Sequence, residues 1–213
     1  MPIRNLVAVI VVALAAAFGL VAAQRYFSTP DIAAGPTLQA VRLFSPARTL
    51  PAFVLRQSDG TPLVPGELKG HWTLVFLGFT HCPDICPTTL AQLGAAQRAW
   101  SDIPDATRPR VLFVSVDPDR DTPDRIGEYV RGFHRDTWAA TADIPALERF
   151  TRSLSLVFQK HAPEAGAPAD AYTVDHSAGM VVLDPLGRMA GVVQAPFEPV
   201  AIAADLRALT LAR

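Results

Sequence analysis

Two cysteines, Cys82 and Cys86, are all that this 213-residue sequence holds. That count leaves room for one disulfide at most and excludes the four-cysteine type of structural zinc site. Lysine is nearly absent, with only Lys69 and Lys160, and the arginines form no basic stripe. With a formal net charge of −1, the chain shows no electrostatic footprint for nucleic acid. No internal repeat is present. No cysteine follows the apolar run near the N-terminus, which excludes lipid anchoring there.

What is present begins with that run. Leu6–Ala23 is an uncharged stretch of 18 residues after Arg4, just long enough for a membrane span and longer than most signal-peptide cores. It predicts an uncleaved anchor within residues 1–27, with Arg4 on the cytoplasmic side. Val21-Ala22-Ala23 offers the alternative of a cleaved signal peptide, and on either reading the remainder is exported. Residues 28–48, rich in Ala, Gly and Pro as far as Pro46, read as a linker. Residues 49–213 then form one mildly acidic domain.

The centre of the sequence is Thr80-His81-Cys82-Pro83-Asp84-Ile85-Cys86-Pro87-Thr88-Thr89. Trp72–Phe79 leads into it as a buried strand, and Leu90, Leu93 and Gln97 follow at helical spacing. Pro87 suits the first helical position, so both sulfurs lie near the positive end of a helix dipole, where a thiolate is stabilised. Such a pair serves redox exchange or a soft metal. If both cysteines were helical, their Cβ atoms would lie about 5–6 Å apart. A disulfide wants about 3.5–4.5 Å, whereas a metal between two thiolates tolerates the wider gap. A purely structural disulfide would close almost no loop and contribute little.

Elsewhere the pattern alternates. Pro51–Val64 reads as a short hairpin turning at Asp59-Gly60, and Val111–Val116 as a second continuous apolar strand. Thr122 as N-cap with Pro123 starts a helix through Tyr129. Trp138–Thr141 follows as a strand and Pro145–Ser153 as a helix. Met180–Leu183 and Met189–Val193 form an antiparallel hairpin, and Pro199–Leu211 an amphipathic closing helix. This order predicts an α/β, thioredoxin-like fold with an added N-terminal β-hairpin, preceded by one transmembrane helix. In such sheets ligands bind beyond the carboxyl ends of the strands.

Three segments carry a resemblance: Phe79–Thr88 around the cysteines, Asp117-Pro118-Asp119-Arg120-Asp121-Thr122-Pro123, and Val174-Asp175-His176-Ser177. Together, in this order, they resemble the signatures of the Sco/SenC family, membrane-anchored copper proteins that help to build the dinuclear copper site of cytochrome c oxidase subunit II. The resemblance implies copper as Cu(I) or Cu(II), with Cys82, Cys86 and His176 as its ligands. It implies cytochrome c oxidase subunit II as partner, together with other periplasmic copper chaperones or thiol-disulfide proteins. It also implies a single-pass protein of the bacterial inner membrane whose soluble domain faces the periplasm. Two functions stay open: a metallochaperone, which is not an enzyme, and a thiol-disulfide oxidoreductase using Cys82 and Cys86 as its redox-active pair.

Two thiolates and one imidazole suit copper, since Cu(I) takes thiolate at low coordination number. His81 adjoins Cys82 but ranks below His176 as a ligand. Asp175 and Asp84 could orient the imidazole or hydrogen-bond near the sulfurs. Asp117, Asp119 and Asp121 suggest a cation loop, but their prolines and capping pattern favour a turn.

Overall fold

A computed structural model describes residues 3–27 and 36–212, which fall into two compact units, residues 1–37 and 38–213. The first unit contains helix α1 (Ile3–Phe27). Among the described residues, no helix is long and apolar enough to cross a membrane. The transmembrane helix expected over Leu6–Ala23 is corrected accordingly, and so are the inner-membrane, periplasm-facing placement and the membrane partnership that rested on it.

The second unit is an α/β sandwich. Its elements, in order, are β1 (Val41–Arg48), β2 (Leu55–Gln57), β3 (Pro62–Leu63), β4 (Thr73–Gly78), α2 (Ile85–Arg98), β5 (Arg110–Ser115), α3 (Pro123–Arg131), β6 (Trp138–Thr141), α4 (Ile144–Ser153), β7 (Phe158–His161), β8 (Thr173–His176), β9 (Met180–Leu183), β10 (Met189–Val193) and α5 (Pro199–Leu211). Eight strands make one sheet in the order β1-β10-β9-β4-β5-β6-β2-β3, while β7 and β8 pair only with each other. The strands β4 and β9 are buried along their whole length, and β5 along all but its first residue, as their unbroken apolar sequences require of a sheet covered on both faces.

The parallel pairing of β4 with β5 runs from Thr73↔Arg110 to Gly78↔Ser115. It sets the carboxyl ends of the two strands side by side. The Val116 N–H continues the ladder to the Gly78 carbonyl at 3.0 Å. Thr122 caps α3 as its sequence implies, accepting from the Arg125 N–H at 3.3 Å. Two tryptophans fasten α5: Trp72 donates its indole N–H to the Leu209 carbonyl and Trp100 to that of Ala203, at 3.1 and 3.0 Å.

Two differences from the sequence reading concern strands. The stretch expected as linker supplies β1, paired antiparallel with β10. Its start is pinned by Asp205 of α5, a buried carboxylate that accepts backbone N–H bonds from Gln39, Ala40 and Val41 at 2.9, 2.7 and 2.8 Å. The turn at Asp59-Gly60 joins β2 to β3, but β2 begins at Leu55, and Phe53 packs edge-on against Phe150 at 4.8 Å instead.

Asp205→Ala leaves three N–H groups, that of Val41 buried and those of Gln39 and Ala40 partly so, without their acceptor. It should lower the domain's stability by about 2–3 kcal/mol, read as a reduced urea midpoint, with faster amide exchange at residues 39–41 than elsewhere. An unchanged midpoint would show that water replaces the carboxylate at no cost.

Candidate metal centre

The chain leaves β4 at Gly78 and bends, the Cys82 N–H closing a turn onto the Phe79 carbonyl at 3.3 Å. Helix α2 begins at Ile85, two residues earlier than Pro87 suggested, so Cys86 lies in its first turn and Cys82 lies ahead of it. The Asp84 side chain forms no cap bond. The Cys82 sulfur stands close enough to this helix start for the backbone N–H groups of Asp84, Cys86 and Ile85 to favour its thiolate. Burial raises the Cys82 pKa, but these N–H bonds and the Cys86 thiol outweigh it and bring the net value below that of an ordinary thiol.

Cys86 has the opposite environment. It is fully buried, and burial first of all pushes its pKa up to about 12. A backbone hydrogen bond from Phe79 opposes the rise, while Cys82 and Asp121 add to it. Gly78 makes room for this sulfur: a Cβ there would stand 3.0 Å from Cys86 Sγ and 2.5 Å from the Phe113 ring.

His176 is the last residue of β8, not a loop residue, and it reaches Cys86 with Nε2 3.6 Å from Sγ. Its Nδ1 lies 3.1 Å from the Ser177 carbonyl, which can only accept, so Nδ1 carries the proton and Nε2 presents a lone pair. Burial lowers the pKa of His176, against the Ser177 bond and the Asp175 charge, and so favours the neutral ring. Phe76 and Phe79 meet that ring edge-on, each at 6.1 Å.

A metal ion held about 2.3 Å from a sulfur and 2.0 Å from an imidazole nitrogen at a tetrahedral angle separates the two donors by about 3.5 Å. The observed Cys86–His176 spacing of 3.6 Å and the Nε2 lone pair facing the sulfur both fit that requirement. Among the described residues, no group of three or more His, Cys, Asp or Glu side chains is already gathered as a metal site. The pair Cys86–His176 is in place, and Cys82 stands at the open side, half-exposed.

The remaining candidates have other partners. His81 is held by Arg125, whose Nη2 is 3.2 Å from Nε2, and by the Thr80 hydroxyl at 3.3 Å. Asp175 does not orient His176; it stands 2.9 Å from His161 Nε2. The three aspartates of residues 117–121 diverge rather than converge on a cation. Asp121 accepts from the Thr80 N–H, the Thr80 hydroxyl and the Ser115 hydroxyl at 2.9, 2.5 and 2.6 Å. Asp117 accepts from Arg120 Nε and the Tyr172 hydroxyl, each at 2.5 Å, and Asp119 from Lys160 at 2.7 Å. Sequence reasoning missed Tyr172, whose only signal was an aromatic residue four positions before His176.

Residues 43–211 match the family model described as SCO1/SenC. A Stutzerimonas stutzeri protein named for copper binding is 32% identical over 160 residues, covering 74% of this chain and 75% of that one. Among solved structures, Bradyrhizobium japonicum ScoI with copper bound is 32% identical, with a TM-score of 0.65, over 74% of this chain and 97% of that one. Arabidopsis thaliana ScoI with copper bound is 29% identical, with a TM-score of 0.67, over 76% and 98%. Of the mitochondrial relatives that it matches, the chain spans about half the length or less.

The two sulfurs should react unequally. Iodoacetamide at pH 8 should modify Cys82 in the folded protein and reach Cys86 only after denaturation, because only Cys82 has appreciable thiolate and access. Peptide mass spectrometry reads the order, and first labelling at Cys86 would contradict this electrostatic account.

Proposed function

We propose that this chain, which belongs to the SCO1/SenC family, is a copper metallochaperone that carries its cargo on Cys82, Cys86 and His176. The relatives with copper bound support copper as the metal. The observation that carries the ligand set is the Cys86–His176 pair at 3.6 Å, with the imidazole tautomer fixed by the Ser177 carbonyl. Copper supplies a soft, thiophilic ion that prefers such sulfur and imidazole donors. Cytochrome c oxidase assembly is the process that the family serves, and the dinuclear copper site of subunit II is the destination we propose.

Each residue has a separate task in loading. Cys82, at the helix N-terminus and half-exposed, meets the incoming ion first, its pKa lowered below that of an ordinary thiol. Cys86 must give up its proton on binding, since its pKa of about 12 keeps it a thiol until then. His176 enters with its lone pair already aimed. Uptake should therefore release at least the Cys86 proton.

A second reading, thiol-disulfide oxidoreductase, is favoured by the asymmetry of the same sulfurs. The Cys82 thiolate would attack a partner disulfide, forming a mixed disulfide and releasing one partner thiolate. Cys86 would then lose its proton and attack the Cys82 sulfur. The second partner thiolate would leave, and two electrons would have passed to the partner. His176 Nε2 is the neutral base nearest to the Cys86 proton, so His176 has a task in either chemistry.

The test therefore measures both activities on the same variants. Cys82→Ser and Cys86→Ser should each abolish tight Cu(I) binding, because a hydroxyl is a hard, protonated donor. His176→Ala should weaken Cu(II) by about 100-fold or more, since losing even a residue that orients a ligand costs about 10–100-fold, and Cu(I) by less. If the chaperone reading holds, reduction of a model disulfide by His176→Ala proceeds at the parental rate. Full copper affinity with a slowed resolving step in His176→Ala would exchange the two readings.

A further inference from the structure

The hairpin β7–β8, which carries His176, belongs to no larger sheet. A two-stranded hairpin alone is marginally stable in water. Its strands are largely exposed, and among its buried residues are Val174 and the Tyr172 that precedes β8. Phe158, Val174 and Tyr172 pack on the core, and polar bonds add to that packing to hold His176 within 3.6 Å of Cys86.

These are side-chain bonds from this hairpin to the body. Among the described residues, apart from the contact of His176 itself, they all end on the turn Asp117–Arg120. The Tyr172 hydroxyl donates to Asp117 Oδ1 at 2.5 Å, and Arg120 Nε donates to Asp117 Oδ2 at 2.5 Å. Arg120 Nη1 donates to the carbonyls of Asp170 and Tyr172 at 3.0 and 3.2 Å. The Arg120 guanidinium lies over the Tyr172 ring at 3.7 Å and faces the Phe79 ring at 5.8 Å. Lys160 of β7 lies over the same tyrosine at 3.6 Å and pairs with Asp119. Phe79 in turn packs on His176 and begins the bend that leads to Cys82. A helix-opening turn needs none of this: Thr122 alone caps α3.

We propose that Asp117, Arg120 and Tyr172 form a positioning cluster for His176, a latch that fixes the imidazole-bearing hairpin against the cysteine loop. Asp117 is 2% and Tyr172 7% exposed, so these bonds form away from competing water. The two buried aspartates of one turn thereby divide the work. Asp121 holds the cysteine loop through Thr80, and Asp117 holds the histidine hairpin through Tyr172 and Arg120. This inference rests on the reading of His176 as a ligand, but it concerns the placement of the ring before any metal arrives.

Tyr172→Phe in the full chain tests it, because the ring and its stacking stay while the hydroxyl bond goes. In the metal-free protein, amides of residues 158–161 and 173–176 should exchange at least ten-fold faster, with β4 and β5 unchanged. Nuclear Overhauser contacts from the His176 ring to Phe76 and Phe79 should fade. With copper added, Cu(II) affinity should fall about ten-fold and Cu(I) affinity much less, a split that general loosening of the fold would not give. Arg120→Lys, which keeps the charge but loses the fork to the two carbonyls, should behave alike and serves if Tyr172→Phe fails to fold. Parental exchange and parental ring contacts in the variant would overturn the latch, as would uniform acceleration across all strands. If the unmodified protein takes up no copper, the metal reading fails, while the metal-free measurements still decide the latch.

Discussion

The parallel register of β4 and β5 is the constraint on which the site depends. Hydrogen bonding from Thr73↔Arg110 through Gly78↔Ser115 brings two strand ends to one level. The loop after β4 holds the cysteines, and the turn after β5 holds the aspartates that bind both neighbours of the site. A shift of one residue would turn every buried side chain of β4 to the opposite face. It would also break the bond from the Thr80 N–H to Asp121. The local chemistry of the sulfurs is therefore a consequence of backbone pairing in the core, more than of the residues immediately beside them.

Within that frame the two cysteines are made unequal by four residues of chain. One sulfur is favoured as thiolate by the N–H groups of a helix start; the other is buried beside Gly78 in the apolar interior. Metal carriage and disulfide exchange both begin with an accessible thiolate and end with a guarded thiol giving up a proton. One geometry can thus support two chemistries, and the histidine beside the guarded sulfur serves as a donor in one and a base in the other.

Much of this was legible in the sequence, for definite reasons. The strands β4, β5 and β9 are continuous apolar runs because they are covered on both faces, and Thr122-Pro123 marks a helix start through its own side chain. The cysteines and His176 were marked by motif, although the distance between Cys86 and His176 could not be. The strand β1 was hidden because most of its residues are exposed and its sequence, Val-Arg-Leu-Phe-Ser-Pro-Ala-Arg, reads as linker. The link from Asp117 to Tyr172 crosses 55 residues and leaves no trace in local periodicity. The apolar run at Leu6–Ala23 shows the reverse error: composition suggested a membrane span, and no described helix is long and apolar enough to be one.

The outermost strand also governs how the molecule meets others of its kind. Beneath β1 lies β10, Met189-Ala-Gly-Val-Val, an uncharged apolar strand. At Gly191 the β1 backbone comes so close that a Cβ would stand 2.5 Å from the Arg42 carbonyl oxygen. Strand β1 faces solvent with two arginines, a proline at position 46 and a register shift between Leu43 and Arg48. Those are the features by which sheet edges avoid pairing with another chain. The Asp205 carboxylate, by fastening the first residues of β1, keeps the apolar strand β10 from being the margin of the sheet, so a side chain on α5 decides which strand the sheet shows at that edge.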